Sequence, residues 1–264
     1  MGPRGRAMSA QVAVISGGAG GLGQALSAAL RSKGWKVVLL DRDISGLSAK
    51  SGEEAIGCDL TDPAQLASAC NDILARHTRI DLVIYNAGVT QIGPFADLTD
   101  AAHRKVFEIN YFAATAMARH FLEPLRQSHG THLAISSVAG FSPLHHRTAY
   151  AASKHALEGF FKSLRSEEAP DGVRVQIAAP SFVATNIGRE GCEPGGIARP
   201  GSAPDGVDYM TPEAAAREIL KGLKAGRPMI PVGRVARLSW WINGLSPRLF
   251  QRLMERSIAK TGTG

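Results

Sequence analysis

A glycine-rich turn between a predicted strand and a predicted helix constrains the fold of this chain more than any other feature. The apolar run Gln11–Ser16 (QVAVIS) has the length and β-branched content of a buried strand. It leads directly into Gly17–Gly23 (GGAGGLG), after which apolar residues recur at helical spacing. Glycines permit positive φ and a close approach of phosphates to the backbone, and the free N–H groups of a helix start attract an anion. We expect a phosphate-bearing ligand to contact Gly17, Gly20, Gly21 and Leu22.

An acidic residue follows the second predicted strand at the distance found in dinucleotide sites. The strand Lys36–Leu40 ends at Asp41, twenty residues after Gly21. In a dinucleotide-binding β–α–β unit, an acid at this place accepts hydrogen bonds from the adenosine ribose. The glycine spacing is GxxxGxG and not the commoner GxGxxG, so the turn by itself also fits a purely structural role. The strand, the helix and the acid together favour a dinucleotide site.

Asp41 and Arg42 bear on which dinucleotide would bind. A carboxylate at the end of the strand repels a 2′-phosphate and bonds a free 2′-hydroxyl, which favours NAD. Arg42 would pair with the 2′-phosphate of NADP if its side chain turned inward, but beside Asp43 we expect it to face solvent. The sequence therefore favours NAD and keeps NADP as the alternative.

A tyrosine and a lysine four residues apart carry the chemistry that the sequence predicts. Tyr150 and Lys154 lie in the segment YAASK, and Ser137 lies thirteen residues before the tyrosine. Residues four apart on a helix share a face. A phenol titrates at about pH 10, and a cation about 5 Å away in a partly desolvated site lowers that pKa. We predict that Tyr150 exchanges a proton with an alcohol or carbonyl, the alternative being a solvated helix face.

Predicted strands and helices alternate along the chain. The predicted strands are Gln11–Ser16, Lys36–Leu40, Glu54–Cys58, Ile80–Tyr85, Thr131–Ser136 and Val173–Ala179. The predicted helices start after the glycine turn and at Asp62-Pro63, and cover about 101–127 and Thr148–Glu168. This order predicts a parallel sheet, whose ligands lie at the carboxyl ends of the strands. Residues at such ends, which we expect to share one rim, are Asp41, Asn86, Ser137 and Pro180.

The motifs occur in an order that is typical of one protein family. They are Ser16–Gly23 (SGGAGGLG), Tyr85–Gly88 (YNAG), Asn110, Ser137 and Tyr150–Lys154 (YAASK). Together they resemble the motif set of the short-chain dehydrogenase/reductase family in its single-domain form, from about residue 11 to about residue 187. The resemblance implies a doubly wound, Rossmann-type α/β fold with helices on both faces of the sheet. It also implies nicotinamide-dependent hydride transfer, with the catalytic set Asn110, Ser137, Tyr150 and Lys154.

The resemblance implies a role for each catalytic residue. The Ser137 hydroxyl would hold the substrate oxygen near Tyr150, and Lys154 would lower the pKa of the tyrosine and bond the nicotinamide ribose. Asn110, in a kinked helix, would position a water behind the lysine. The alternatives without a catalytic role are that Ser137 caps a strand end and that Asn110 is a core amide with hydrogen-bond partners inside the protein. The implied cofactor contacts beyond the glycine turn and Asp41–Arg42 are Asp59, Leu60, Asn86, Ala87, Gly88, Tyr150, Lys154, Val183 and Thr185.

Three positions depart from the family pattern. Ser16 stands where threonine is usual, which is a conservative change. Tyr85 stands where a first asparagine is usual, and Pro180-Ser181 stands where Pro-Gly is usual. The last two departures put the local loop geometry in question without touching the catalytic groups.

Composition fits a single α/β domain. The 264 residues are 44% hydrophobic, enough for a large core, and contain no uninterrupted apolar run of transmembrane length. Cys58, Cys70 and Cys192 have no CxxC spacing, so we predict neither a disulfide framework nor a metal site and expect a cytoplasmic location.

The opening MGPRGRA lacks the apolar region of a secretory signal. We divide the chain into a flexible start (1–10), a catalytic domain (11–232) and a helical extension (233–264).

Positive charge is concentrated in the C-terminal part of the chain. Residues 217–264 contain ten basic and two acidic residues, while the formal net charge of the whole chain is +7. The same stretch contains Trp240, Trp241 and several leucines. Basic, aromatic and apolar residues together fit an interfacial helix on an anionic membrane, or a lip over a lipophilic pocket. The alternative is a helix pair packed on the domain or on a second subunit, and we expect no nucleic-acid partner.

The substrate is predicted from two loops and from the resemblance. Residues 142–147 (SPLHHR) and about 187–210 are predicted rim loops, the second being either a mobile lid or a plain connection. His145 and His146 are expected at the surface. The segments INYF and YAASKHALEGFFKSLRSE resemble family members that act on steroids, retinoids or other lipid alcohols. We therefore expect a lipophilic secondary alcohol or ketone.

Other function classes and an oligomeric assembly also fit parts of the sequence. The alternative within the same family is a substrate with a sugar, polyol or acyl-thioester carbonyl. A regulator that binds a dinucleotide without chemistry would not need the full catalytic set. A sugar-nucleotide epimerase or dehydratase usually requires a larger C-terminal domain than the roughly 80 residues after Pro180 provide. The resemblance implies a homodimer or homotetramer built on helices 101–127 and 148–168.

Overall fold

The computed structural model describes residues 10–48, 50–185, 195–201 and 209–261, with side chains through residue 255. Several sequence-based expectations lie outside these residues. They are the flexible start (residues 1–9), Cys192, most of the predicted rim loop 187–210 and the end of the C-terminal extension.

The described residues alternate between strands and helices, as the sequence predicts. The strands are β1 (Val12–Ser16), β2 (Lys36–Asp41), β3 (Glu53–Gly57), β4 (Leu82–Tyr85), β5 (Thr90–Gln91), β6 (Thr131–Ile135), β7 (Arg174–Pro180), β8 (Ile197–Ala198) and β9 (Met229–Val232). The helices are α1 (Gly21–Arg31), α2 (Pro63–Arg76), α3 (Asp100–Phe107), α4 (Ala113–Ser128), α5 (Thr148–Glu168), α6 (Pro212–Lys224), α7 (Arg234–Leu245) and α8 (Pro247–Thr261).

The main sheet is parallel and doubly wound. In the described part of the chain it has seven strands in the order β3-β2-β1-β4-β6-β7-β9. Every neighbouring pair of these strands is parallel. The chain winds outward from β1 in both directions, so the strand order reverses between β1 and β4. In open α/β sheets, ligands bind at such a reversal, outside the carboxyl ends of the strands.

Apolar residues cover both faces of the sheet, so helices must pack on both faces to bury them. Along β1, Val14 belongs to the core on one face and Ile15 to the core on the other. The first core contains Phe121 of α4 and Phe161 of α5, and the second contains Leu26 of α1; none of the three is exposed. Each such side chain contributes about 1.5–3 kcal/mol through burial. The Rossmann-type α/β class predicted from the sequence is confirmed.

The region around Asn110 is an interrupted helix. The predicted helix 101–127 consists of α3, a π-helical turn over Glu108–Phe112, and α4. A π-helical turn inserts one extra residue into the hydrogen-bond ladder and is frequent at functional sites. Asn110 lies within this turn, and a π-helical turn is one of the recognised causes of the helix kink that the sequence analysis expected there. The predicted start of α2 is also confirmed, since Asp62 accepts hydrogen bonds from Ala64 N and Gln65 N.

The sequence analysis did not predict strands β5, β8 and β9 or helix α6. Strand β9 is short and contains Pro231, which is tolerated because β9 is an edge strand of the sheet. Strands β5 and β8 form a separate antiparallel pair, in which Thr90 is opposite Ala198. The second of these lies inside the predicted rim loop. Two-residue strands that pair over about a hundred residues of chain leave no periodic pattern in the sequence.

Candidate active site

A cleft of about 710 Å³ lies at the carboxyl ends of the strands. Every predicted cofactor and catalytic residue lines this cleft, with the exception of Asn110. The four predicted strand-end residues therefore share one edge, although they come from four different strands. Pockets of this size commonly hold a small-molecule ligand.

In the glycine turn, the backbone of Gly17 and Gly21 lies close to the backbone of two other residues that line the cleft, Ala87 and Thr185. Gly17 has a φ of +66°, and a Cβ atom there would lie 2.7 Å from the Cα atom of Ala87. A Cβ atom on Gly21 would lie 2.8 Å from the carbonyl oxygen of Thr185. Helix α1 begins after Gly20, which offers no side-chain acceptor to the first turn. The helix start can therefore receive a phosphate on its N–H groups.

Hydrogen bonds fix the glycine turn to the loop after β4. The Ser16 hydroxyl accepts from the backbone N–H groups of Asn86 (3.1 Å) and Ala87 (3.2 Å). The Asn86 side-chain amide donates to the carbonyl of Gly17 over 2.9 Å. Serine at position 16 provides the hydroxyl that these bonds need, so its departure from the family's threonine leaves the loop intact.

Asp41 sits at the end of β2, beside the glycine turn. Its Oδ2 atom accepts a hydrogen bond of 2.9 Å from the backbone N–H of Ala19. Arg42 also lines the cleft but is exposed, as expected. Asp59 follows the neighbouring strand β3 and accepts hydrogen bonds from Thr61, which lower the pKa of this carboxyl, and the charge of Arg42 acts in the same direction. This part of the cleft thus combines the carboxylates of Asp41 and Asp59 with the guanidinium of Arg42.

The Tyr150 phenol is buried beside Ser137. Burial raises the pKa of Tyr150 above its ordinary value, while its hydrogen bond with Ser137 and the charge of Arg147 oppose the rise. Ser137 also accepts from the backbone N–H of Ala139 over 3.2 Å, so it caps the 3-10 turn Val138–Gly140 as well. The serine hydroxyl is therefore a cap of this turn and at the same time a hydrogen-bond partner of the Tyr150 phenol.

The direction of the Tyr150 pKa differs from the sequence-based expectation, which had Lys154 lowering it. The lysine Nζ atom lies 5.9 Å from the centroid of the tyrosine ring and donates a bond of 2.9 Å to the carbonyl of Ile135. Burial also lowers the pKa of Lys154 to about 8, against the charge of Glu158. Desolvation of the phenol therefore outweighs its hydrogen bond with Ser137 and the charge of Arg147 in this structure.

Asn110 lies behind the cleft and holds its wall. Its side-chain oxygen accepts from Val89 N (2.8 Å), and its amide nitrogen donates to Val89 O and to the Ser153 hydroxyl (2.9 Å each). A Cβ atom on Gly88 would lie 3.2 Å from Asn110 Oδ1 and 3.5 Å from Lys154 Nζ. The amide is thus satisfied by protein groups, and it positions the Gly88–Val89 backbone next to the lysine.

The two other departures from the family pattern are explained by their surroundings. The Tyr85 hydroxyl lies 2.6 Å from Nδ1 of His132, and its ring packs on Phe161, with 4.8 Å between centroids. Tyr85 therefore points into the core and away from the cleft. Ser181 donates from its hydroxyl to the carbonyl of Val232 over 3.3 Å, a bond that a glycine lacks.

Arg147 is a site residue that the sequence analysis missed. It is 7% exposed, lines the cleft and donates to the carbonyl of Gln91 over 3.5 Å. The sequence placed it in a rim loop but held no pattern that predicts a buried cation. The neighbouring His145 and His146 are exposed and stack on each other, with 3.7 Å between ring centroids. In the described part of the chain, no cluster of His, Cys, Asp or Glu is arranged to hold a metal ion.

Comparison with known proteins identifies the family. The family model described as short chain dehydrogenase matches residues 11–193, and the chain belongs to this family. The dehydrogenase/reductase SDR family member 7B of Bos taurus is 31% identical over 264 residues, covering 92% of this chain and 80% of that protein. A short-chain dehydrogenase structure from Streptomyces avermitilis superposes with a TM-score of 0.77 at 26% identity, over 97% of this chain and 100% of that one. The chain is therefore an NAD(P)-dependent oxidoreductase.

Similar structures contain either form of the cofactor. A 4-hydroxyisoleucine dehydrogenase complexed with NADH is 26% identical with a TM-score of 0.62, over 66% of this chain and 74% of that one. A Burkholderia cenocepacia short chain dehydrogenase in complex with NADP has a TM-score of 0.80 at 24% identity, over 93% of this chain and 97% of that one, a likeness of fold. Among the described residues, no helix is at once long and apolar enough to cross a bilayer.

Proposed function

We propose that this chain transfers a hydride between a nicotinamide cofactor and a lipophilic secondary alcohol or ketone, with Tyr150 as general acid or base. The observation that carries this proposal is the buried Tyr150 phenol, hydrogen-bonded to Ser137 inside the cleft and four residues from Lys154. When bound, the cofactor supplies the hydride acceptor or donor. The chain's own residues supply the proton and hold the substrate oxygen.

The raised pKa of Tyr150 has a direct chemical consequence. A phenol with a pKa above its ordinary value stays protonated at neutral pH, so it is ready to donate a proton to a carbonyl oxygen as that oxygen gains negative charge. Ser137, which already bonds the phenol, would donate to the same oxygen. In the oxidation direction the phenol must lose its proton first, and the buried cations Lys154 and Arg147 favour that loss.

Lys154 is proposed to act in two ways. An ammonium has three donors, and one of them is accounted for by the carbonyl of Ile135. We assign the others to the hydroxyls of the nicotinamide ribose. Asn110 is proposed as a positioning residue, since it holds the Gly88–Val89 backbone against which the cofactor would lie.

NAD is proposed as the preferred cofactor, with NADP as the alternative. The Asp41 carboxylate is oriented by Ala19 N at the place where an adenosine ribose would lie, and it would repel a 2′-phosphate. The other proposed contacts line the same cleft. They are Gly17, Gly20, Gly21 and Leu22 for the phosphates, Arg42, Asp59 and Leu60 at the adenosine end, and Asn86, Ala87, Gly88, Val183 and Thr185 towards the nicotinamide.

Apolar side chains support a lipophilic substrate. Ile92, Ile109 and Leu144 line the same cleft as Tyr150. Phe182 also lines it and packs on Tyr209, with 5.7 Å between ring centroids. Burying the hydrocarbon of a substrate against such a lining is favourable in free energy, while the polar catalytic groups would hold the substrate oxygen.

The assembly and the location of the chain are also proposals. An aromatic cluster on the α3–α5 side supports a homodimer or homotetramer, because Phe112 is 50% exposed and Tyr111 packs against both Phe112 and Phe160. The thiols of Cys58 and Cys70 are free and buried, which supports a reducing compartment such as the cytoplasm. We propose the same division as the sequence analysis, into a catalytic domain (11–232) and a basic helical extension (233–264).

A substrate screen tests the proposed reaction. The full chain is incubated with aliphatic and polycyclic ketones, and with polar sugar, polyol and acyl-thioester substrates, each with both cofactors. The reaction is followed at the nicotinamide absorbance. Turnover of the lipophilic ketones with a higher kcat/KM than the polar compounds supports the proposal. Turnover of polar carbonyls alone contradicts the substrate class, and cofactor binding without any turnover favours a regulatory protein.

A further inference from the structure

Helix α7 carries an apolar stripe on the side that faces solvent. Leu238, Trp241 and Leu245 are three and four residues apart, so they share one face of the helix. Their exposed fractions are 61%, 62% and 81%. An exposed apolar stripe of this kind is unusual on a folded domain and marks a contact surface.

The opposite face of α7 is fastened to the active-site region. Ala236 is buried, and the Asn243 side-chain amide donates to the carbonyl of Phe141 over 2.6 Å. Phe141 directly follows the 3-10 turn Val138–Gly140, which Ser137 caps. The outward direction of the apolar stripe is therefore set by contacts with the domain, close to the catalytic serine.

Helix α8 extends the exposed apolar area. It packs against α7 and exposes Leu249 (49%) and Leu253 (43%), which lie four residues apart on one face. We call this exposed set the α7–α8 surface. It consists of Leu238, Trp241, Leu245, Leu249 and Leu253.

The positive charge around the α7–α8 surface indicates whether a second copy of the chain or a lipid surface binds there. Residues 234–255 contain four arginines and one acidic residue, Glu255. All four arginines are exposed, and one of them, Arg237, is 3.4 Å from Glu218 of α6. A second copy that met this surface about a two-fold axis would set arginine against arginine, and like charges at an interface are unfavourable. Anionic lipid headgroups complement the same charges, and tryptophan favours the headgroup region of a bilayer.

We propose that the α7–α8 surface binds the face of a bilayer that contains anionic lipid. The leucines and Trp241 enter the boundary between headgroups and acyl chains, and the arginines meet the headgroup phosphates and carboxylates. Because Asn243 ties α7 to the segment after Ser137, this docking brings the substrate end of the cleft close to the bilayer. Entry of a lipophilic substrate from the membrane rests on the proposed function, whereas lipid binding itself does not.

Vesicle co-sedimentation of the full chain tests lipid binding. The vesicles contain phosphatidylcholine alone or equal parts of phosphatidylcholine and phosphatidylserine. The variant is Trp241→Ser/Leu245→Ser, and the matched control is Phe95→Ser, which removes an aromatic side chain that is 68% exposed outside the surface. Melting temperatures report whether each variant folds. Since every substituted side chain is exposed, we expect the folded state to survive in all of them.

The expected results are specific. Wild type and Phe95→Ser bind the phosphatidylserine vesicles, the double variant partitions at least about tenfold less, and added salt weakens binding. Equal binding of the double variant, or no binding by the wild type, overturns the proposal. A smaller oligomer for the double variant in size-exclusion chromatography also overturns it, because the surface would then join two copies of the chain.

Turnover separates the lipid surface from the proposed reaction. A long-chain ketone dissolved in phosphatidylserine vesicles is compared with a short, water-soluble ketone. We expect the double variant to lose kcat/KM for the vesicle-borne ketone and to keep it for the soluble one. Equal loss or equal retention for both ketones overturns the entry route. Absence of turnover by the wild type would sink the proposed function and leave the vesicle-binding result standing.

Discussion

The Nζ atom of Lys154 donates a hydrogen bond of 2.9 Å to the carbonyl oxygen of Ile135, the last residue of β6. This bond joins helix α5 to the strand that delivers Ser137 two residues further along the chain. It also holds an ammonium that is only 4% exposed, and burial lowers the pKa of that ammonium to about 8. The active site thus holds an amine whose charged form is disfavoured by burial, and we expect this to affect stability.

Lys154 is expected to make the free energy of unfolding depend on pH. Between about pH 8 and the ordinary lysine pKa of about 10.4, the unfolded chain binds a proton at Lys154 that the folded chain does not. Unfolding therefore becomes less favourable as pH rises through this range, by at most about 3 kcal/mol in total. Urea titrations should show that the free energy of unfolding of wild type, minus that of Lys154→Met, increases as the pH is raised through this range. Lys162→Met serves as the control for losing an α5 lysine, and a flat difference for Lys154→Met contradicts the prediction.

Gly17→Ala is expected to weaken both the fold and the dinucleotide site. A side chain there combines positive φ with a Cβ atom 2.7 Å from the Ala87 backbone, so the turn must shift. Gly226→Ala is a matched control, because Gly226 has a φ of +67° and nothing within 4 Å of an added Cβ. We expect Gly226→Ala to cost about 1–2 kcal/mol from strain alone. Gly17→Ala should cost more and raise the dissociation constant for NAD in titration calorimetry. Equal effects of the two variants would contradict the prediction that the close approach of Gly17 to the Ala87 backbone excludes a side chain.

Asp41→Ala is expected to change cofactor selectivity. Removing the carboxylate takes away the bond to the ribose 2′-hydroxyl and the repulsion of a 2′-phosphate. The kcat/KM ratio of NAD to NADP should fall by at least about tenfold, since one charge-assisted hydrogen bond is worth about 1.5–3 kcal/mol. Asp43→Ala, which removes the neighbouring acid, should leave the ratio nearly unchanged. An unchanged ratio for Asp41→Ala would show that the carboxylate does not face the ribose.

Asn110→Asp is expected to destabilise the wall behind Lys154. A carboxylate keeps the acceptor for Val89 N but loses the amide donors to Val89 O and Ser153. Losing two buried hydrogen bonds and burying a charge should lower the free energy of unfolding by about 2 kcal/mol or more. Asn71→Asp, at an exposed position of α2, should change it by a few tenths of a kcal/mol. Similar urea midpoints for the two variants would mean that the Asn110 amide does not hold the loop.

Much of the fold was predictable because local patterns and the global fold agree. Strands β1, β2 and β4 contain runs of apolar residues, and Asp62 with Pro63 marks a helix start in the sequence as in the structure. Strand β9 was missed because it is a short edge strand containing Pro231. The pairing of β5 with β8 was missed because it depends on contacts between distant parts of the chain.

The site was predictable in its membership but not in its electrostatics. Strand ends and motif order placed the candidate residues on one rim, and all except Asn110 line the cleft. Spacing reveals that Tyr150 and Lys154 share a helix face, but not how deeply the phenol is buried. Desolvation by tertiary packing therefore reversed the expected direction of the Tyr150 pKa. The same limit hid Arg147, whose burial becomes visible only once the loop before α5 is folded.

The most direct test of the proposed chemistry is single-turnover reduction of a ketone by the Tyr150→Phe variant. The substitution removes only the hydroxyl, and the matched control Tyr111→Phe removes one in the π-helical turn. If Tyr150 supplies the proton, the rate should fall by about 10²–10⁴-fold in Tyr150→Phe, with the dissociation constant for the cofactor unchanged, while Tyr111→Phe keeps the wild-type rate. A Tyr150→Phe rate within a few-fold of wild type would contradict the central role of this phenol.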